Sequence, residues 1–331
     1  MERKIKCRYC NSPGTLVQYG TNFPICDNCF TKYIERKIKE TINKYKLINR
    51  NDKVCVGVSG GKDSLTLLLN LYNLYKQKQI LNKISIINVD EGIEGYRIKT
   101  IDHLNKFIKE FTIDVDLYQI KFKEEIGYTM DEITDIIIKK NLKLNPCTVC
   151  GTFRRMLLNK KSIELNATKL AIGHNLDDIT QTLIQNLIRN DLQKIGKVPP
   201  YASINLINES QNVLSNSYLI PRIKPLMKIT EQEIIQYCNL KKIEYLHCPC
   251  TNSIRFPILR RKIKDFLNKF DKNNYEIKYN LLKVNFQLYE LLNPLSKKKY
   301  STPNKCSVCG YPTNFPRTKC KFCELKEILF N

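Results

Sequence analysis

The feature that most constrains the fold is a short β-branched run at 53–58 that passes through Ser59-Gly60-Gly61 into a leucine-rich helical pattern at 64–75. A strand, a glycine turn and a helix in this order form the first half of a parallel βαβ unit. The same alternation continues, with strand patterns at 84–89, 115–120 and 169–173 and helical patterns at 96–111, 130–140, 152–165 and 177–188. The sequence therefore predicts an α/β fold built on a doubly wound parallel sheet.

Helical patterns also flank this region, at 30–48, 229–238 and 255–292, whereas the polar segment 190–220 is predicted to be a loop or a partly disordered insert. The most basic helix should run from Arg255 to Phe270, with Pro257 tolerated in its first turn. Its predicted apolar stripe is Leu259, Ile263, Phe266 and Phe270, and its basic residues, mainly on other faces, are Arg255, Arg261, Lys262, Lys264 and Lys269. Such a basic face is either a solvated surface or a surface for RNA.

The charge of the 331-residue chain points to a polyanionic partner, because 55 Lys and Arg against 32 Asp and Glu leave a formal charge of +23. Nucleic acid is the common partner of such a chain, and an anionic membrane surface is the second. A genome biased toward Lys, Asn and Ile is the alternative explanation. No apolar run is long enough for a membrane span, and the N-terminal residues lack the apolar stretch of a secretory signal. We therefore expect a cytoplasmic protein.

The 14 cysteines need a use other than disulfides in that compartment. Eight of them form two quartets of paired C-x-x-C motifs: Cys7, Cys10, Cys26 and Cys29, and Cys306, Cys309, Cys320 and Cys323. Two such pairs complete a tetrahedron around one ion, and four protein ligands leave no open position for catalysis. The spacing predicts one structural metal site at each end of the chain, with Zn²⁺ favoured over a rubredoxin-like iron site.

The string from Val58 to Ser64 is typical of a phosphate-binding turn, although it lacks the spacing of a Walker loop. Its glycines let backbone N–H groups face an anion, its serine hydroxyls add donors, and the following helix adds the partial positive charge of its N-terminus. Asp63 is unusual beside a phosphate and suits a magnesium ligand or a residue that orients the loop. An ordinary tight βα turn is the alternative for two glycines alone, but the whole string favours phosphate.

Ser59 to Ser64 resembles the PP-loop of N-type ATP pyrophosphatases, which cleave ATP between the α and β phosphates and adenylate a carbonyl oxygen. Further strings resemble the TtuA/NcsA/Ctu family of tRNA 2-thiouridine synthetases: Asp90 to Arg97, Cys147 to Arg155, Gly173 to Asp178 and Pro221 to Leu226. That family also has a zinc module at each end, so the resemblance covers nearly the whole chain. We therefore expect a PP-loop ATP pyrophosphatase domain at 31–292 between zinc modules at 1–30 and 293–331.

The resemblance implies that ATP binds at the carboxyl edge of the sheet, where ligands of open α/β sheets lie. The residues expected to bind ATP and Mg²⁺ are Val58, Ser59, Gly60, Gly61, Lys62, Asp63, Ser64, Val89, Asp90, Arg154 and Gly173. Arg154 would neutralise the charge that develops at the α-phosphate. The resemblance implies Asp178 as a proton or magnesium partner and His174 as a positioning residue, whereas Asp177 has a helix N-cap as its alternative role.

Cys147 and Cys150 form a C-x-x-C pair with no second pair nearby, which suits either a thioredoxin-like pair or a metal site with a distant third ligand. The candidates for that ligand are Cys238, Cys248 and Cys250. The family holds a [4Fe-4S] cluster by the pair and by a cysteine that precedes proline, which matches Cys248. Three thiolates leave one iron open to a non-protein sulfur. Cys250 is then a spare thiol, a fourth ligand or a sulfur carrier, and Cys238 is expected to be buried.

The implied reaction is ATP-dependent adenylation of the C2 oxygen of a tRNA uridine, followed by transfer of a cluster-bound sulfur with release of AMP and pyrophosphate. The implied catalytic residues are Asp63, Cys147, Cys150, Arg154, Asp178 and Cys248. The resemblance favours the wobble uridine over the T-loop uridine. It also implies a homodimer and, as sulfur donor, a ubiquitin-like thiocarboxylated protein or free sulfide. The alternatives are a tRNA 2-thiocytidine synthetase, an ATP-dependent amide ligase and a non-catalytic zinc-ribbon RNA-binding protein.

Overall fold

The computed structural model describes residues 6–21, 23–197, 199–202, 219–246, 250–256, 259–271, 276–299, 304–313 and 317–331. Its strands are β1 Leu16–Val17, β2 Pro24–Ile25, β3 Val54–Gly57, β4 Ser85–Asp90, β5 Asp116–Lys121, β6 Lys169–Ile172, β7 Arg222–Ile223, β8 Asn304–Lys305 and β9 Pro312–Thr313. Its helices are α1 Asp27–Lys44, α2 Lys62–Lys76, α3 Arg97–Glu110, α4 Phe122–Ile126, α5 Met130–Lys139, α6 Pro146–Glu164, α7 Leu176–Ile188, α8 Leu192–Lys197, α9 Glu231–Lys241, α10 Thr251–Arg255, α11 Leu259–Asp271, α12 Ile277–Lys299 and α13 Lys321–Phe330.

Five of these strands form one parallel sheet in the order β5-β4-β3-β6-β7, which confirms the predicted α/β fold. The central strand β3 pairs with β4 on one side and with β6 on the other. The register places Gly57 beside both Ile87 and Ile172, so these strands reach the same edge of the sheet together. The loops that leave this edge lie side by side, as ligand-binding loops of open α/β sheets do.

Apolar side chains cover both faces of the sheet. Val54 and Val56 of β3 pack into one hydrophobic core, and Cys55 between them packs into the other, because successive side chains of a strand point to opposite faces. The leucine-rich helix α2 is buried along most of its length and contacts α9. Cys238 on α9 is fully buried against Thr66 of α2, which confirms its predicted burial. None of the helices in the described ranges is both long and apolar enough to cross a bilayer.

The predicted loop at 190–220 contains one helix, and a short strand follows it; neither element leaves a sequence pattern. Helix α8 follows α7 closely, and the two-residue strand β7 extends the sheet by pairing with β6. A strand of two residues is too short to show a period, and residues 203–218 of this segment lie outside the described part of the chain. The short helix α4 and the C-terminal helix α13 also have no counterpart among the predicted elements.

The predicted basic helix is divided and its apolar face is partly wrong. The 255–292 stretch forms α10, α11 and part of α12, and Pro257 lies outside the described residues. Ile263 and Leu267 are the apolar residues that α11 buries, and this helix packs against α7. The Phe266 and Phe270 rings are instead 54% and 51% exposed and pack edge-to-face on each other. The contact with α7 therefore buries Ile263 and Leu267, which stand four residues apart. Of these two, only Ile263 belongs to the predicted apolar stripe.

A buried lysine connects the C-terminal helices to α7 and to the N-terminal segment. Lys278 on α12 is 2% exposed, and its Nζ lies 2.5 Å from Asp177 Oδ1 and 2.8 Å from Asp271 Oδ2. Asp271 also accepts a hydrogen bond from the hydroxyl of Tyr19, between β1 and β2. Asp177 accepts a second hydrogen bond from the N–H of Glu231 at 2.7 Å. The ammonium and two carboxylates thus join four separate parts of the chain.

Replacing Lys278 by Met should lower the free energy of unfolding by about 3–5 kcal/mol, because it leaves two buried carboxylates without their cation. Lys283→Met on the same helix is the matched control, since Lys283 is exposed and pairs only with Asn280, at 3.4 Å, among its described neighbours. Urea unfolding followed by circular dichroism measures both variants. Equal stability of the two variants would contradict the structural role assigned to Lys278.

Candidate active site and metal centres

The turn between β3 and α2 forms the floor of the candidate site. Gly60 has φ +85°, and a Cβ on it would lie 2.0 Å from the Thr100 carbonyl oxygen, so any other residue would displace α3. A Cβ on Gly173, just after β6, would lie 3.1 Å from the Ser64 nitrogen. The Ser59 and Ser64 hydroxyl oxygens lie 3.2 Å apart. Close packing therefore holds two hydroxyls together at the N-terminus of α2, where an anion is favoured.

Lys62 and Asp63 begin α2 and are tied to neighbouring elements. Lys62 Nζ lies 3.0 Å from Asp63 Oδ2 and 3.0 Å from Glu231 Oε1 on α9. Asn175 Nδ2 donates a hydrogen bond of 2.9 Å to the other oxygen of Asp63. Burial raises the pKa of Asp63; Lys62 opposes this shift and the Asp178 carboxylate adds to it. The charges of Asp63 and Asp178 thus repel each other, an arrangement that a divalent cation would stabilise.

The neighbouring residues Asp177 and Asp178 have different partners. Asn175 is the N-cap of α7 and forms a capping box with Asp178, so the N-cap role considered for Asp177 is wrong. Arg260 Nη2 on α11 lies 2.6 Å from Asp178 Oδ1. Burial raises the pKa of Asp178, but His174 and Arg260 outweigh this effect and lower it. The carboxylate thus stays ionised at the start of α7, whereas Asp177 is used in the buried ion pair.

One buried carboxylate connects two arginines along a wall of the cleft. Glu91, directly after β4, lies 3.2 Å from Arg97 Nε and 2.5 Å from Arg154 Nε. Arg97 donates a hydrogen bond to the Ser59 carbonyl oxygen at 3.0 Å, and Arg154 Nη2 donates to Cys150 Sγ at 3.3 Å. The phosphate turn and the cysteine pair are therefore joined through three charged side chains. Sequence reasoning identified Arg154 but assigned no role to Glu91 or Arg97, although both lie in the Asp90–Arg97 string.

The central cysteine pair lies on the first two turns of α6. Cys147 is half-buried, and Cys150 is 8% exposed. Burial raises the pKa of Cys150 to about 11, and the neighbouring Arg154 opposes that shift. Burial also raises the pKa of Cys147, and the charge of Cys250 adds to this effect. Cys250 thus lies close to the pair, while the expected third ligand, Cys248, lies outside the described residues.

These elements enclose an open cleft of about 280 Å³ at the carboxyl edge of the sheet. Val89 lines it on the β4 side, and Gly173 and His174 line it on the β6 side. The Asp90 carboxylate accepts a hydrogen bond of 2.9 Å from the Gly92 N–H and so shapes the turn after β4. The volume is near the lower limit of about 300 Å³ for ligand pockets. An apolar wall beside a polar floor suits a nucleotide.

The terminal quartets bring their thiols together. Within each quartet the four Sγ atoms lie within 4.8 Å of one another, close to the separation of about 3.8 Å that follows from tetrahedral Zn–S bonds of about 2.3 Å. Cys26 is also the N-cap of α1, and Cys29 lies in the first turn of that helix. Burial raises the pKa of Cys7, but hydrogen bonds from backbone groups outweigh burial and lower it to about 6. Both quartets therefore fit a metal ion held by four thiolates.

Comparison with known proteins identifies the family. The model of the PP-loop domain matches residues 30–269. A probable sulfurtransferase of Methanocaldococcus jannaschii is 34% identical over 98% of this chain and 90% of its own length. The cytoplasmic tRNA 2-thiolation protein 1 of Dictyostelium discoideum is 31% identical over 92% of this chain and 79% of its own. The tRNA-5-methyluridine(54) 2-sulfurtransferase of Pyrococcus horikoshii is 27% identical over 98% and 96%.

A solved structure has the same fold over nearly its whole length. The U34-tRNA thiolase NcsA from Methanococcus maripaludis, solved with its [4Fe-4S] cluster, superposes with a TM-score of 0.77 at 32% sequence identity. The match covers 98% of this chain and 96% of that one. The sheet, the flanking helices and both terminal modules thus fall within the compared region.

Gly60→Ala should lower the free energy of unfolding by about 2 kcal/mol or more in the absence of ligand, because the new Cβ would overlap the Thr100 carbonyl and strain a positive φ. Gly61→Ala is the matched control, since its φ is −86° and its nearest neighbour would be Ser59 Oγ at 3.5 Å. The control should change stability by about 0.5 kcal/mol at most. Thermal unfolding measures both, and a Gly60→Ala protein as stable as the control would refute the packing argument.

Proposed function

This chain belongs to the PP-loop family, in the branch of the tRNA 2-thiolation proteins, and we propose that it replaces the C2 oxygen of a tRNA uridine by sulfur in an ATP-dependent reaction. The observation that carries the proposal is the connection from the phosphate turn through Arg97, Glu91 and Arg154 to Cys150. It joins the proposed ATP site to the thiol of Cys150, which lies next to the cleft-lining Arg154. An amide ligase or a non-catalytic RNA-binding protein has no need of that connection.

In the first step the C2 oxygen of the uridine attacks the α-phosphorus of ATP, and the bond to the β-phosphate breaks to release pyrophosphate. The backbone and hydroxyls of Ser59 to Ser64 hold the β- and γ-phosphates at the N-terminus of α2. Arg154 neutralises charge at the α-phosphate as it develops. Glu91 fixes the Arg154 guanidinium before the substrate arrives, so little reorganisation is needed during the reaction.

The Mg²⁺ that accompanies ATP is proposed to lie between Asp63 and Asp178. Asn175 donates hydrogen bonds to both carboxylates, from its side chain to Asp63 and from its backbone N–H to Asp178, and Asp178 raises the pKa of Asp63 beyond the effect of burial. Oxygen ligands from one or two carboxylates, completed by phosphate oxygens and water, are what Mg²⁺ prefers. Mutual repulsion between the two carboxylates falls when the cation binds, which favours the loaded state of the site.

In the second step sulfur attacks C2, the C2–oxygen bond breaks and AMP leaves. Cys147, Cys150 and Cys248 would hold the [4Fe-4S] cluster, which supplies an open iron for the sulfur that is transferred. The thiol donors of Cys147 and Cys150 fit such a group because they stand three residues apart on one helix, next to a third thiol at Cys250. Arg154 donates a hydrogen bond to Cys150 and is also the residue proposed to neutralise the α-phosphate, so it can stabilise AMP as it departs.

We favour the wobble uridine as the modified base, since the chain is more similar to the U34 thiolase than to the position-54 sulfurtransferase. The tRNA would also contact α11, whose Phe266 and Phe270 rings are exposed on a basic helix, because aromatic rings among cations bind unpaired bases. Four further expectations stay predictions: the sulfur donor (a ubiquitin-like thiocarboxylated protein or free sulfide), the homodimer, the cytoplasmic location and the domain boundaries. The predicted boundary at 292 falls inside α12.

The test of the function is pyrophosphate release by anaerobically reconstituted protein, with and without tRNA, together with mass spectrometry of the tRNA nucleosides. We expect tRNA-stimulated pyrophosphate release and a 2-thiouridine derivative mapped to position 34. Absence of pyrophosphate release would overturn the enzymatic proposal. A 2-thiocytidine product would support the alternative synthetase instead.

In the same assay Cys248→Ser should abolish thiolation and lower the iron content, while the affinity for an ATP analogue stays within twofold of wild type. Cys250→Ser is the matched control two residues away and should keep its iron. Iron analysis and absorbance near 400 nm report on the site without reference to activity. A Cys248→Ser protein with full iron, beside a Cys250→Ser protein without it, would move the third ligand to Cys250.

The two terminal quartets should bind one Zn²⁺ each. Cys10→Ser and Cys309→Ser each remove one thiolate from a different quartet, so each variant should lose about one zinc of two, and the double variant should lose both. Elemental analysis by mass spectrometry measures the zinc per chain. Cys55→Ser, which changes a cysteine buried inside β3, is the control and should retain both ions. Two zinc ions in the double variant would exclude the quartets as the binding sites.

A further inference from the structure

Three basic residues lie on the side of the cleft that a nucleotide on the PP-loop leaves open. Arg155 on α6 and Arg222 on β7 line the cleft, and Lys224 follows β7 directly. We name these residues the outer cation cluster. Strand β7 is two places from β3 in the sheet, about 10 Å away at the usual strand spacing.

The expected position of ATP leaves this side free. The phosphate turn follows β3, and Val89, which is also expected to bind ATP, belongs to β4 on the opposite side of β3 from β6 and β7. A nucleotide that spans these elements extends away from the outer cation cluster. The cluster therefore needs a different anion.

Two of the three charges, those of Arg155 and Lys224, have no acidic partner among the described residues. Arg155 has Thr152 Oγ1, at 3.3 Å, as a polar neighbour, and Lys224 Nζ donates to the Pro200 carbonyl oxygen at 3.1 Å. No described carboxylate lies within ion-pair distance of Arg155 or Lys224, unlike Arg260, which pairs with Asp178. Desolvation and the charge of Arg222 lower the pKa of Lys224 to about 8, against the pull of Asp178. A bound anion would relieve this repulsion.

The cluster also faces the C-terminal metal module. Met156, directly after Arg155 on α6, packs together with Tyr311 against the buried thiols of Cys306, Cys320 and Cys323. Arg155 is exposed at this junction. An extended polyanion that runs past the C-terminal module would thus meet the cluster at the entrance of the cleft.

We propose that Arg155, Arg222 and Lys224 form a subsite for a backbone phosphate of the RNA substrate, next to the nucleotide that enters the cleft. The inference rests on the proposed function, because the RNA substrate is what brings a phosphodiester to this entrance. A nucleotide that turns out of its stack needs its flanking phosphates held in place, and phosphate contacts fix register without reading the base. The subsite positions the target uridine over the α-phosphate of ATP.

The test compares Arg155→Ala, Lys224→Ala and the double variant with wild type. Binding of tRNA is measured by fluorescence anisotropy over a range of salt concentrations, and binding of a non-hydrolysable ATP analogue by calorimetry. We expect the tRNA Kd of the double variant to rise about 10–30-fold and the slope of log K against log salt to fall in magnitude by about 1. The ATP-analogue Kd should stay within twofold.

Two controls keep the result specific. Lys76→Ala removes an exposed lysine at the far end of α2 from the phosphate turn, and its tRNA Kd should change less than twofold. Arg155→Lys keeps the charge at an exposed position and should retain most of the affinity. Because Arg155 is exposed, Arg155→Ala alone should fold, and its smaller loss of tRNA affinity tests the proposal even where the double variant is unstable.

Other outcomes identify what has failed. If the variants bind the ATP analogue more weakly but bind tRNA as wild type does, the cluster binds a phosphate of the nucleotide. If the binding of both ligands is unchanged, the cluster is not an anion subsite. Either result overturns the inference. Wild-type protein that binds no tRNA, or releases no pyrophosphate with it, would overturn the proposed function itself. The two failures are therefore distinguishable.

Discussion

The ion pair between Asp177 and Lys278 is the interaction on which the arrangement of the site depends. It holds Asp177 in a buried ion pair at the start of α7, whereas the neighbouring Asp178 pairs with Arg260 and caps the helix with Asn175. Desolvating an ammonium and two carboxylates costs several kcal/mol per ion, and mutual attraction offsets this cost only when the geometry is good. The ion pair of Asp177 with Lys278 thus contributes by specifying one packing of α7, α12 and the N-terminal segment. A purely apolar contact there would tolerate several packings.

Glu91 has a comparable role at the other wall of the cleft. A carboxylate that is 2% exposed between two guanidinium groups cannot move without leaving a buried charge unpaired. The cation next to Cys150 is therefore held in place by α3 and β4 together, although it belongs to α6. The cleft has two arginines fixed by this carboxylate near the phosphate turn and further basic residues on the β7 side. This asymmetry favours different ligands on the two faces of the site.

How much of this could be predicted depends on the length of each pattern. The β-branched run before Ser59 and the leucines after it extend over many residues, so the central strand and helix follow from periodicity. The two-residue strand β7 shows no period, and with it Arg222 and Lys224 could not be placed at the cleft. Long-range pairs such as Lys278 with Asp177 join residues a hundred positions apart and leave no local trace.

The parts of the site that could be predicted are those built from residue types with one main chemical use. The glycines of the phosphate turn and the cysteines of the quartets have few other uses. As expected, the structure packs the glycines tightly in their turn and brings the thiols of each quartet close to one another. The exposed rings of Phe266 and Phe270 show the opposite case, because phenylalanine at helical spacing usually means a core. Only the contact of α11 with α7 decides which face is buried. The packing of α11 on α7, and not the four-residue apolar pattern in the sequence, therefore determines which side chains are buried.

Cys26 unites two roles that are usually separate, since its sulfur belongs to a quartet and also caps α1. During synthesis this quartet leaves the ribosome before any strand of the central sheet. All its ligands lie between Cys7 and Cys29, and local contacts form fastest. Capture of the metal would thus give the nascent chain a capped helix on which the later elements condense. A chain that captures no metal would then lose this starting point for folding before the central sheet has formed.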